Sequence, residues 1–331
     1  MNCAYLAFTD RGMALAHRLA QAQPGTVDRC GKDGVRLGDW TSRNFARCNA
    51  LVFVGAVGIA VRAIAPHCRS KATDPAVVVV DEAGQFAIPV LSGHLGGANA
   101  LARTLAAACG AVPVITTATD VRGVFAVDEW AKQAGCAVLE PERIKQVSGR
   151  LLAGEPVGFW SEFPVNGTPP AGVSPAPAQQ ADFALTLFPQ GEGLHLVPAI
   201  GVLGVGCRRG TTAQQLEAAF AAFCARYALS PRCICAAASI DLKQNEAGLL
   251  EFCAAHRWAV SFYSAGQLKT VPGNFTPSAF VCSVTGVDNV CERAAALAAG
   301  GTIRIPKQAA DGVTFALALR PYAPDWRNQN G

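Results

Sequence analysis

Short apolar runs alternate with segments of helical periodicity along most of the chain, and this alternation constrains the fold more than any other feature. Residues 3–9 (CAYLAFT) have the composition of a strand and precede a helical pattern over residues 10–22. Residues 51–55 (LVFVG) form another apolar run that leads into a helical segment. Strands that alternate with helices pair in parallel, because each helix returns the chain to the end of the sheet where the next strand begins. The pattern predicts an α/β fold.

Three regions with different patterns predict the domain organisation. Residues 1–136 and residues 199–331 both show the alternation, and each is predicted to be an α/β domain with a mainly parallel sheet flanked by helices. Residues 137–198 differ, because five prolines fall between positions 163 and 177 and exclude a helix there. We therefore expect a small irregular middle domain, with a proline-rich loop, that joins the two α/β domains.

Several strands are predicted from local sequence. Residues 76–81 and 85–91 flank a turn, which predicts a β-hairpin. Residues 112–117 (VPVITT) predict one further strand of the first domain. Near the end of the chain, residues 302–306 and 313–319 predict two edge strands.

The composition is that of a buried globular protein. Hydrophobic residues make up 51% of the chain and charged residues 16%, which argues against disorder. No apolar run approaches the roughly 18 residues that cross a bilayer, and the start of the chain lacks the basic segment of a secretion signal. The net charge of +4 comes without a run of lysines and arginines. We expect a cytoplasmic protein that has neither a nucleic-acid nor a membrane partner.

The thirteen cysteines do not form a recognisable framework. Their number is odd, their spacing is irregular, and no two of them are separated by two residues. Disulfide scaffolds and zinc sites use regular spacings. We interpret most of these cysteines as small buried residues with reduced thiols, and we predict no metal ligands in the chain.

Familiar phosphate-binding and nucleophile motifs are absent or incomplete. The chain has no GxxxxGK[ST] loop and no GxSxG turn. Gly204, Gly206 and Gly210 follow a predicted strand but form GxGxxxG, one residue longer than the dinucleotide fingerprint. We interpret this segment as a glycine-rich loop before a helix, which Thr211 or Thr212 would cap.

Residues 90–99 (VLSGHLGGAN) look most like a site, because polar and glycine residues lie between an apolar strand and a predicted helix. The candidate residues are Ser92, Gly93, His94, Gly96, Gly97 and Asn99. Glycines let a ligand approach the backbone, and a helix N-terminus attracts anions. We expect the helix dipole to favour neutral His94, which suits a general base. The alternative is a tight turn that only packs, in which Ser92 caps the helix rather than attacking a substrate.

Three further clusters place polar side chains beside predicted secondary structure. They comprise Arg62 and Lys71; Thr117, Thr119 and Asp120; and Ser239, Lys243 and Glu246. The cations suit carboxylate ligands, and polar groups at the carboxyl end of a strand lie where open α/β sheets bind ligands. Each cluster also has a structural alternative: a capped loop, a charged first helical turn or a solvated side chain.

Long motifs in both outer regions resemble the cobalamin-biosynthesis protein CbiG family. The first region contributes residues 55–66 (GAVGIAVRAIAP), 71–102 (KATDPAVVVVDEAGQFAIPVLSGHLGGANALA) and 114–120 (VITTATD). The last region contributes residues 204–211 (GVGCRRGT), 238–252 (ASIDLKQNEAGLLEF), 262–268 (FYSAGQL) and 283–295 (SVTGVDNVCERAA). The combination of SGHLGGAN with TTATD is specific, whereas the proline-rich middle carries less of the resemblance.

The resemblance implies the activity of a cobalt-precorrin-5A hydrolase. Such an enzyme opens the δ-lactone of a cobalt-containing corrin precursor and releases acetaldehyde, giving cobalt-precorrin-5B. The substrate brings its own cobalt, so the resemblance implies no protein cofactor and no metal ligands. It also implies a cobalt-corrinoid substrate as the main partner, with other enzymes of the cobalamin pathway as further partners.

These implications give a hypothesis for the site. His94 would act as, or position, the base for water, and the loop at 93–97 would stabilise the oxyanion through its N–H groups. Lys243 and Glu246 would assist proton transfer or bind carboxylates, and the remaining candidates would line a cleft between the two outer domains. Two alternatives remain at this point: a non-catalytic corrinoid carrier and a nucleotide-dependent enzyme.

Overall fold

A computed structural model describes residues 2–70 and 73–327. The chain divides into two compact units, which are described separately. Unit 1 comprises Met1–Lys132 and Ile144–Glu155, and unit 2 comprises Gln133–Arg143 and Pro156–Gly331. Three sheets with flanking helices confirm the α/β prediction. The predicted domain boundaries stay predictions.

Unit 1 contains a six-stranded sheet with helices between its strands. Its elements are β1 (Cys3–Ala7), α1 (Asp10–Ala22), β2 (Gly25–Arg29), α2 (Leu37–Arg47), β3 (Ala50–Val54), α3 (Val57–Ile64), β4 (Ala76–Val80), β5 (Phe86–Leu91), α4 (Ala98–Cys109), β6 (Val112–Pro113), α5 (Ala118–Arg122), α6 (Val127–Gln133) and, after β7 (Cys136–Val138) of the next sheet, α7 (Ile144–Leu152). The strand order is β2-β1-β3-β4-β5-β6. The central strands β1, β3 and β4 are completely buried, as expected for strands covered on both faces.

The direction of β5 determines where the two polar segments of unit 1 come together. β4 and β5 form the predicted antiparallel hairpin, and β6 then pairs parallel to β5, with Phe86 opposite Val112. Because neighbouring parallel strands end at the same edge of a sheet, the segments after β5 and β6 leave from one place. One segment carries His94 and the other carries Asp120.

The predicted strand over residues 112–117 is wrong in length, since only Val112–Pro113 pairs. The Val114 N–H still donates to the Ala87 carbonyl oxygen, and the residues that follow lead into α5. β2 and α2 were not predicted, because β2 is a partly exposed edge strand and α2 has a polar sequence. Their burial depends on tertiary contacts, including that of Trp40 against Phe53.

The middle region is more regular than its prolines indicate. Its strands are β7, β8 (Val157–Ser161), β9 (Val173–Pro175), β10 (Phe183–Leu185) and β11 (Leu194–Pro198). They form a five-stranded sheet in the order β7-β11-β10-β8-β9, in which only β7 is antiparallel to its neighbour. The expectation of an irregular middle domain is therefore wrong, because its short strands pair into one regular sheet.

The C-terminal part of unit 2 contains the third sheet. Its elements are β12 (Gly201–Cys207), α8 (Ala213–Tyr227), β13 (Ile234–Ile240), α9 (Ala247–Ala255), β14 (Ala259–Tyr263), α10 (Ala265–Lys269), α11 (Ala279–Thr285), α12 (Cys291–Ala299), β15 (Thr302–Ala310) and β16 (Val313–Leu319). The order β14-β13-β12-β16-β15 makes β15 an edge strand as predicted. β16 lies between β12 and β15 and is not an edge strand, because its apolar residues are covered on both faces.

The cap of α8 and the state of the cysteines bear on two predictions from the sequence. Thr212 caps α8 in a capping box with Gln215, which selects it over Thr211. The thirteen cysteines all lie in the described part of the chain and are free thiols. Over the same residues, no helix combines the length and the apolar content that crossing a membrane requires.

Candidate functional site

The loop between β5 and α4 is tightly folded around its glycines. A Cβ atom on Gly96 would overlap the side chain and carbonyl oxygen of Ser92, and one on Gly93 would lie 2.8 Å from the amide oxygen of Asn99. Gly97 precedes the first residue of α4 and has a left-handed φ of 88°, a conformation that glycine adopts without strain. The glycines therefore let residues of the loop itself pack closely against its backbone.

Carbonyl oxygens of this loop accept hydrogen bonds from the first N–H groups of α4. The N–H groups of Ala98 and Asn99 donate to the carbonyl oxygens of Ser92 and Gly93, at 3.1 and 3.0 Å. Ser92 does not cap the helix, because its hydroxyl donates to the Asp74 carbonyl oxygen at 3.0 Å. It adopts a left-handed φ of 56°. The expectation that Ser92 caps α4 is therefore wrong, and its hydroxyl joins two loops of unit 1.

His94 lies between two carboxylates. Its Nε2 atom is 2.8 Å from Oδ2 of Asp120, and its Nδ1 atom is 3.4 Å from Oδ1 of Asp128. The side chains of His94 and Asp120 are 13% and 10% exposed, and that of Asp128 is 8% exposed. Oδ1 of Asp128 is buried and has no hydrogen-bond partner in the described part of the chain, so its longer contact with the ring is chiefly electrostatic.

Asp120 is the centre of a larger network that the two polar segments share. Its Oδ2 atom accepts hydrogen bonds from the Thr117 hydroxyl and from the Asn99 amide as well as from His94. Its Oδ1 atom accepts one from Arg103 at 2.7 Å. Asn99 is 2% exposed and also donates to Thr117. These contacts join the loops after β5 and β6 into one hydrogen-bonded network.

The two carboxylates reverse the protonation state expected for His94. Burial by itself would lower the pKa of the ring, but Asp128 and Asp120 outweigh it and raise the pKa to about 9. Burial also opposes the charge on Asp120, whereas hydrogen bonds from Arg103, Thr117 and His94 lower its pKa to about 2. His94 is therefore an imidazolium at neutral pH, and the prediction of a neutral ring from the helix dipole is wrong.

Three further residues of this arrangement were not identified from the sequence: Arg103, Asp128 and Glu129. Arg103 lies one helical turn after Asn99 on α4, and this i,i+4 spacing is a signal that was available. Asp128 and Glu129 are in the first turn of α6, where acidic residues are common for electrostatic reasons alone. Their position beside His94 is visible only in the folded chain.

Atoms of His94, Asp120 and Glu129 lie within 4.8 Å of one another, a spacing that a metal ion could bridge. Asp120 is poorly suited to this role, because Oδ2 already accepts three hydrogen bonds and Oδ1 faces the Arg103 cation. A metal would also have to replace the proton on the His94 ring. The donors present thus fit a network of paired charges better than a ligand set.

The other predicted residues of unit 1 lie in varied surroundings. Thr119 is 7% exposed and its hydroxyl is 3.4 Å from His94 Nε2. Arg62 is exposed on α3. Lys71 lies outside the described residues. Asp74, which lies near it in sequence, accepts hydrogen bonds from the Arg69 and Ser70 N–H groups, as a turn-forming residue does.

Three predicted substrate-binding residues of unit 2 make packing contacts. A Cβ on Gly204 would overlap the carbonyl group of Cys291, so this glycine lets α12 pack closely on β12. A Cβ on Gly206 would overlap the hydroxyl of Thr314. Ser239 is fully buried and donates to the carbonyl oxygen of Val205. Contact of these three residues with a substrate stays a prediction.

Lys243 and Glu246 form a compact pair in unit 2. Nζ of Lys243 is 3.0 Å from Oε1 of Glu246, and the other carboxylate oxygen of Glu246 accepts the Gly210 N–H at 3.0 Å. The Gly210 N–H and the Lys243 ammonium lower the pKa of Glu246. Glu246 precedes α9 and fixes the glycine-rich loop after β12, so it is an anion at neutral pH rather than a proton donor.

Unit 2 also contains a cavity of about 470 Å³ that was not predicted. Its charged residues are engaged with one another: Arg304 pairs with Glu162, and both ring nitrogens of His195 contact Glu140 or the carbonyl oxygen of Gln190. These contacts leave the cavity without a free charged group to attract a ligand, and we assign no function to it.

Comparison with protein families covers most of the chain. Residues 39–120 match the model described as cobalamin synthesis G N-terminal, residues 125–186 match the cobalamin biosynthesis central region, and residues 201–318 match the cobalamin synthesis G C-terminus. The first match includes His94 and Asp120, the second includes Asp128 and Glu129, and the third includes Lys243 and Glu246.

Two curated proteins with the name cobalt-precorrin-5A hydrolase are similar over most of their length. That of Salmonella typhimurium is 35% identical, over 96% of this chain and 97% of the relative. That of Priestia megaterium is 33% identical, over 84% of this chain and 80% of the relative.

Two solved structures are also similar. A putative cobalamin biosynthesis protein G homolog from Sulfolobus solfataricus is 20% identical and covers 97% of both chains, with a TM-score of 0.42. CobE, a protein from the cobalamin biosynthetic pathway, is 31% identical over 38% of this chain and 92% of its own, with a TM-score of 0.35.

Proposed function

The chain belongs to the cobalamin synthesis G family, CbiG, and from this membership we propose that it is a cobalt-precorrin-5A hydrolase. The observation that carries the proposal is the 35% identity to a protein of that name over 96% of the chain. A match of this extent includes both units, so the proposal concerns the whole chain rather than one domain.

The proposed reaction consumes one water and has two stages. Water adds to the lactone carbonyl carbon, and the ring C–O bond breaks to give a carboxylate and an alcohol on the bridge carbon. The alcohol then loses its proton as the bond between the bridge carbon and the macrocycle breaks, which releases acetaldehyde. The electron pair of that bond stays on the macrocycle, which gains a proton to give cobalt-precorrin-5B.

We assign the proton-donating role to His94. Its Nε2–H is held by Asp120 at 2.8 Å, whereas Nδ1 has only the longer contact with Asp128, at 3.4 Å. We propose that the Nδ1 proton goes to the oxygen that leaves the lactone carbonyl, and that the ring stabilises negative charge on that oxygen. A ring with a pKa of about 9 already carries its proton at neutral pH and is not available to accept another. The protonation state thus favours an acid over the base that the sequence suggested.

Other residues of unit 1 keep this ring in place. Asn99 and Thr117 bind the oxygen of Asp120 that contacts His94, and Arg103 neutralises the other oxygen. We propose that these three are positioning residues, since their polar atoms are directed at Asp120. The role of the N–H groups of the loop at 93–97 in binding an oxyanion remains part of the proposal.

For unit 2, the substrate chemistry suggests a carboxylate-binding role. The macrocycle is rimmed with acetate and propionate groups, which ammonium side chains bind. We propose that Lys243 holds one of them, while Glu246 orients Lys243 and the loop that includes Gly210.

The cobalt would come with the substrate, so the proposal includes no cofactor of the protein itself. We further propose that the enzyme works in the cytoplasm, where the other enzymes of the pathway are its possible partners. Thirteen free thiols support a reducing compartment.

The decisive experiment is anaerobic incubation of the pure protein with cobalt-precorrin-5A. We expect stoichiometric acetaldehyde and a product with the mass of cobalt-precorrin-5B, measured by an alcohol dehydrogenase assay and by mass spectrometry. Tight substrate binding without acetaldehyde would contradict the proposal and identify a carrier instead.

A further inference from the structure

We propose that Glu129 is the general base that removes a proton from the attacking water. This inference rests on the proposed hydrolase function and adds a residue to its site. His94 then acts only as the acid, so that two different side chains of unit 1 perform the two proton transfers.

The position of Glu129 is the first support. One of its carboxylate oxygens, a ring nitrogen of His94 and a carboxylate oxygen of Asp120 all lie within 4.8 Å of one another. A water molecule that contacts Glu129 would therefore lie close to the proton that His94 donates. Acid and base must both reach a single carbonyl group for this chemistry, and the spacing permits it.

The second support is that the other two carboxylates of the cluster are less available. Asp120 accepts four hydrogen bonds, three of them on Oδ2, and its Oδ1 atom faces the Arg103 cation. Asp128 is buried, and its Oδ1 atom lies against the opposite ring nitrogen of His94. Glu129 is only partly buried and makes no hydrogen bond or ion pair with any residue in the described ranges.

The charges around Glu129 suit a base that binds a proton more readily than an exposed carboxylate does. Burial raises its pKa, and the negative charges of Asp120 and Asp128 act in the same direction, whereas the cations of His94 and Arg103 oppose them. Lys132 on the same helix also interacts with it. A carboxylate with a raised pKa is a stronger base than an exposed one.

The step balances without a further reactant. One O–H bond of water breaks, its proton goes to Glu129, and the hydroxide oxygen bonds to the lactone carbonyl carbon. The C–O bond of the lactone then breaks, and the alcohol oxygen takes the His94 proton. Exchange with solvent afterwards returns Glu129 to a carboxylate and His94 to an imidazolium.

The test compares Glu129→Gln with Glu251→Gln, which removes an exposed carboxylate on α9. We expect Glu129→Gln to lower kcat by roughly 10²–10⁴-fold, the usual contribution of general base catalysis, with little change in KM. Glu251→Gln should retain wild-type kcat. The acid limb of the kcat/KM profile should disappear in Glu129→Gln, because that limb reports ionisation of the base in the free enzyme.

Chemical rescue separates a base from a structural residue. Glu129→Ala leaves space for a small carboxylate, and we expect added formate to restore part of its acetaldehyde release in a concentration-dependent way. Wild-type kcat in Glu129→Gln would overturn the inference. So would a low kcat with an unchanged acid limb and no rescue of Glu129→Ala. Failure of the wild-type protein to release acetaldehyde would instead overturn the proposed function itself.

Discussion

Nε2 of His94 lies 2.8 Å from Oδ2 of Asp120, although the two residues are 26 positions apart in the chain. The contact exists because β5 and β6 are parallel neighbours, so the segments that follow them begin at the same edge of the sheet. The same Asp120 oxygen also binds Thr117 and Asn99. The two polar segments that the sequence marked are thus joined through one carboxylate.

Replacement of His94 tests its role as the proton donor. Since glutamine keeps a polar side chain but has no titratable proton, we expect His94→Gln to lower kcat for acetaldehyde release by roughly 10²–10⁴-fold. The wild-type rate should fall as the pH rises through about 9, where the ring loses its proton. The variant should lack this alkaline limb.

A matched control is His17→Gln, because His17 is exposed on α1 and the substitution is chemically identical. It should leave both the rate and the pH profile unchanged. A His94→Gln enzyme with wild-type kcat and an intact alkaline limb would exclude the assigned role.

Asp120→Asn tests the network as a source of stability. The change leaves the cations of His94 and Arg103 without their shared carboxylate, and we expect it to reduce the free energy of unfolding by about 2–4 kcal/mol at pH 7. Urea denaturation followed by circular dichroism would measure this difference. Asp39→Asn, at an exposed site on α2, should change stability by less than about 0.5 kcal/mol.

The pH dependence of the Asp120→Asn effect follows from the two shifted pKa values. The Asp120 pKa of about 2 lies below its ordinary 3.8, so its contribution is present above pH 3.8 and is lost as the pH falls through 2. The His94 pKa of about 9 lies above 6.5, so that contribution is complete below pH 6.5 and is lost as the pH rises through 9. The stability difference between wild type and variant should therefore be largest between about pH 4 and pH 6.5. A difference that does not vary with pH would contradict the paired-charge description.

Gly96→Ala tests whether the loop before α4 must be tightly folded. The new methyl group would overlap Ser92, and we expect a loss of about 1–3 kcal/mol in stability together with reduced activity. Gly58→Ala is the control, since this helical glycine has open space around it and alanine should stabilise α3 by about 0.5–1 kcal/mol. Thermal unfolding of both variants gives the comparison, and equal stability of Gly96→Ala and wild type would show that the loop relaxes.

Lys243→Met tests carboxylate binding by unit 2. Loss of an interaction made equally with the bound substrate and the transition state raises KM without changing kcat, and we expect an increase of about tenfold. Lys269→Met, at an exposed position at the end of α10, should leave KM unchanged. A lower kcat at unchanged KM in Lys243→Met would assign this residue to the chemical step instead.

Local sequence was informative where the chain signals its own conformation. The apolar run AVVVV of β4, the β4–β5 hairpin and the helix that Thr212 caps were all predictable, because burial, turn residues and capping leave short-range patterns. The three-residue strand β9 was not, since so few positions show no reliable period.

Some residues of the candidate site could be identified from the sequence, and others could not. The sequence marked His94, Asn99, Thr117 and Asp120, because polar residues and glycines at the ends of apolar strands stand out. It missed Arg103, Asp128 and Glu129, which occupy ordinary helical positions. It also marked Gly204, Gly206 and Ser239, which have packing contacts in unit 2 and whose contact with a substrate stays a prediction.

By itself, the sequence determined the alternation of strands and helices, the two polar segments of unit 1 and the family to which the chain belongs. Only the tertiary structure decided that His94 is an imidazolium, because the charge of a ring depends on what lies beside it. Asp120 and Asp128 reach the ring from two different helices, through the pairing of β5 with β6 and the packing of α6. Proximity between distant residues, rather than the identity of any one of them, sets the pKa and with it the chemistry that the ring can perform.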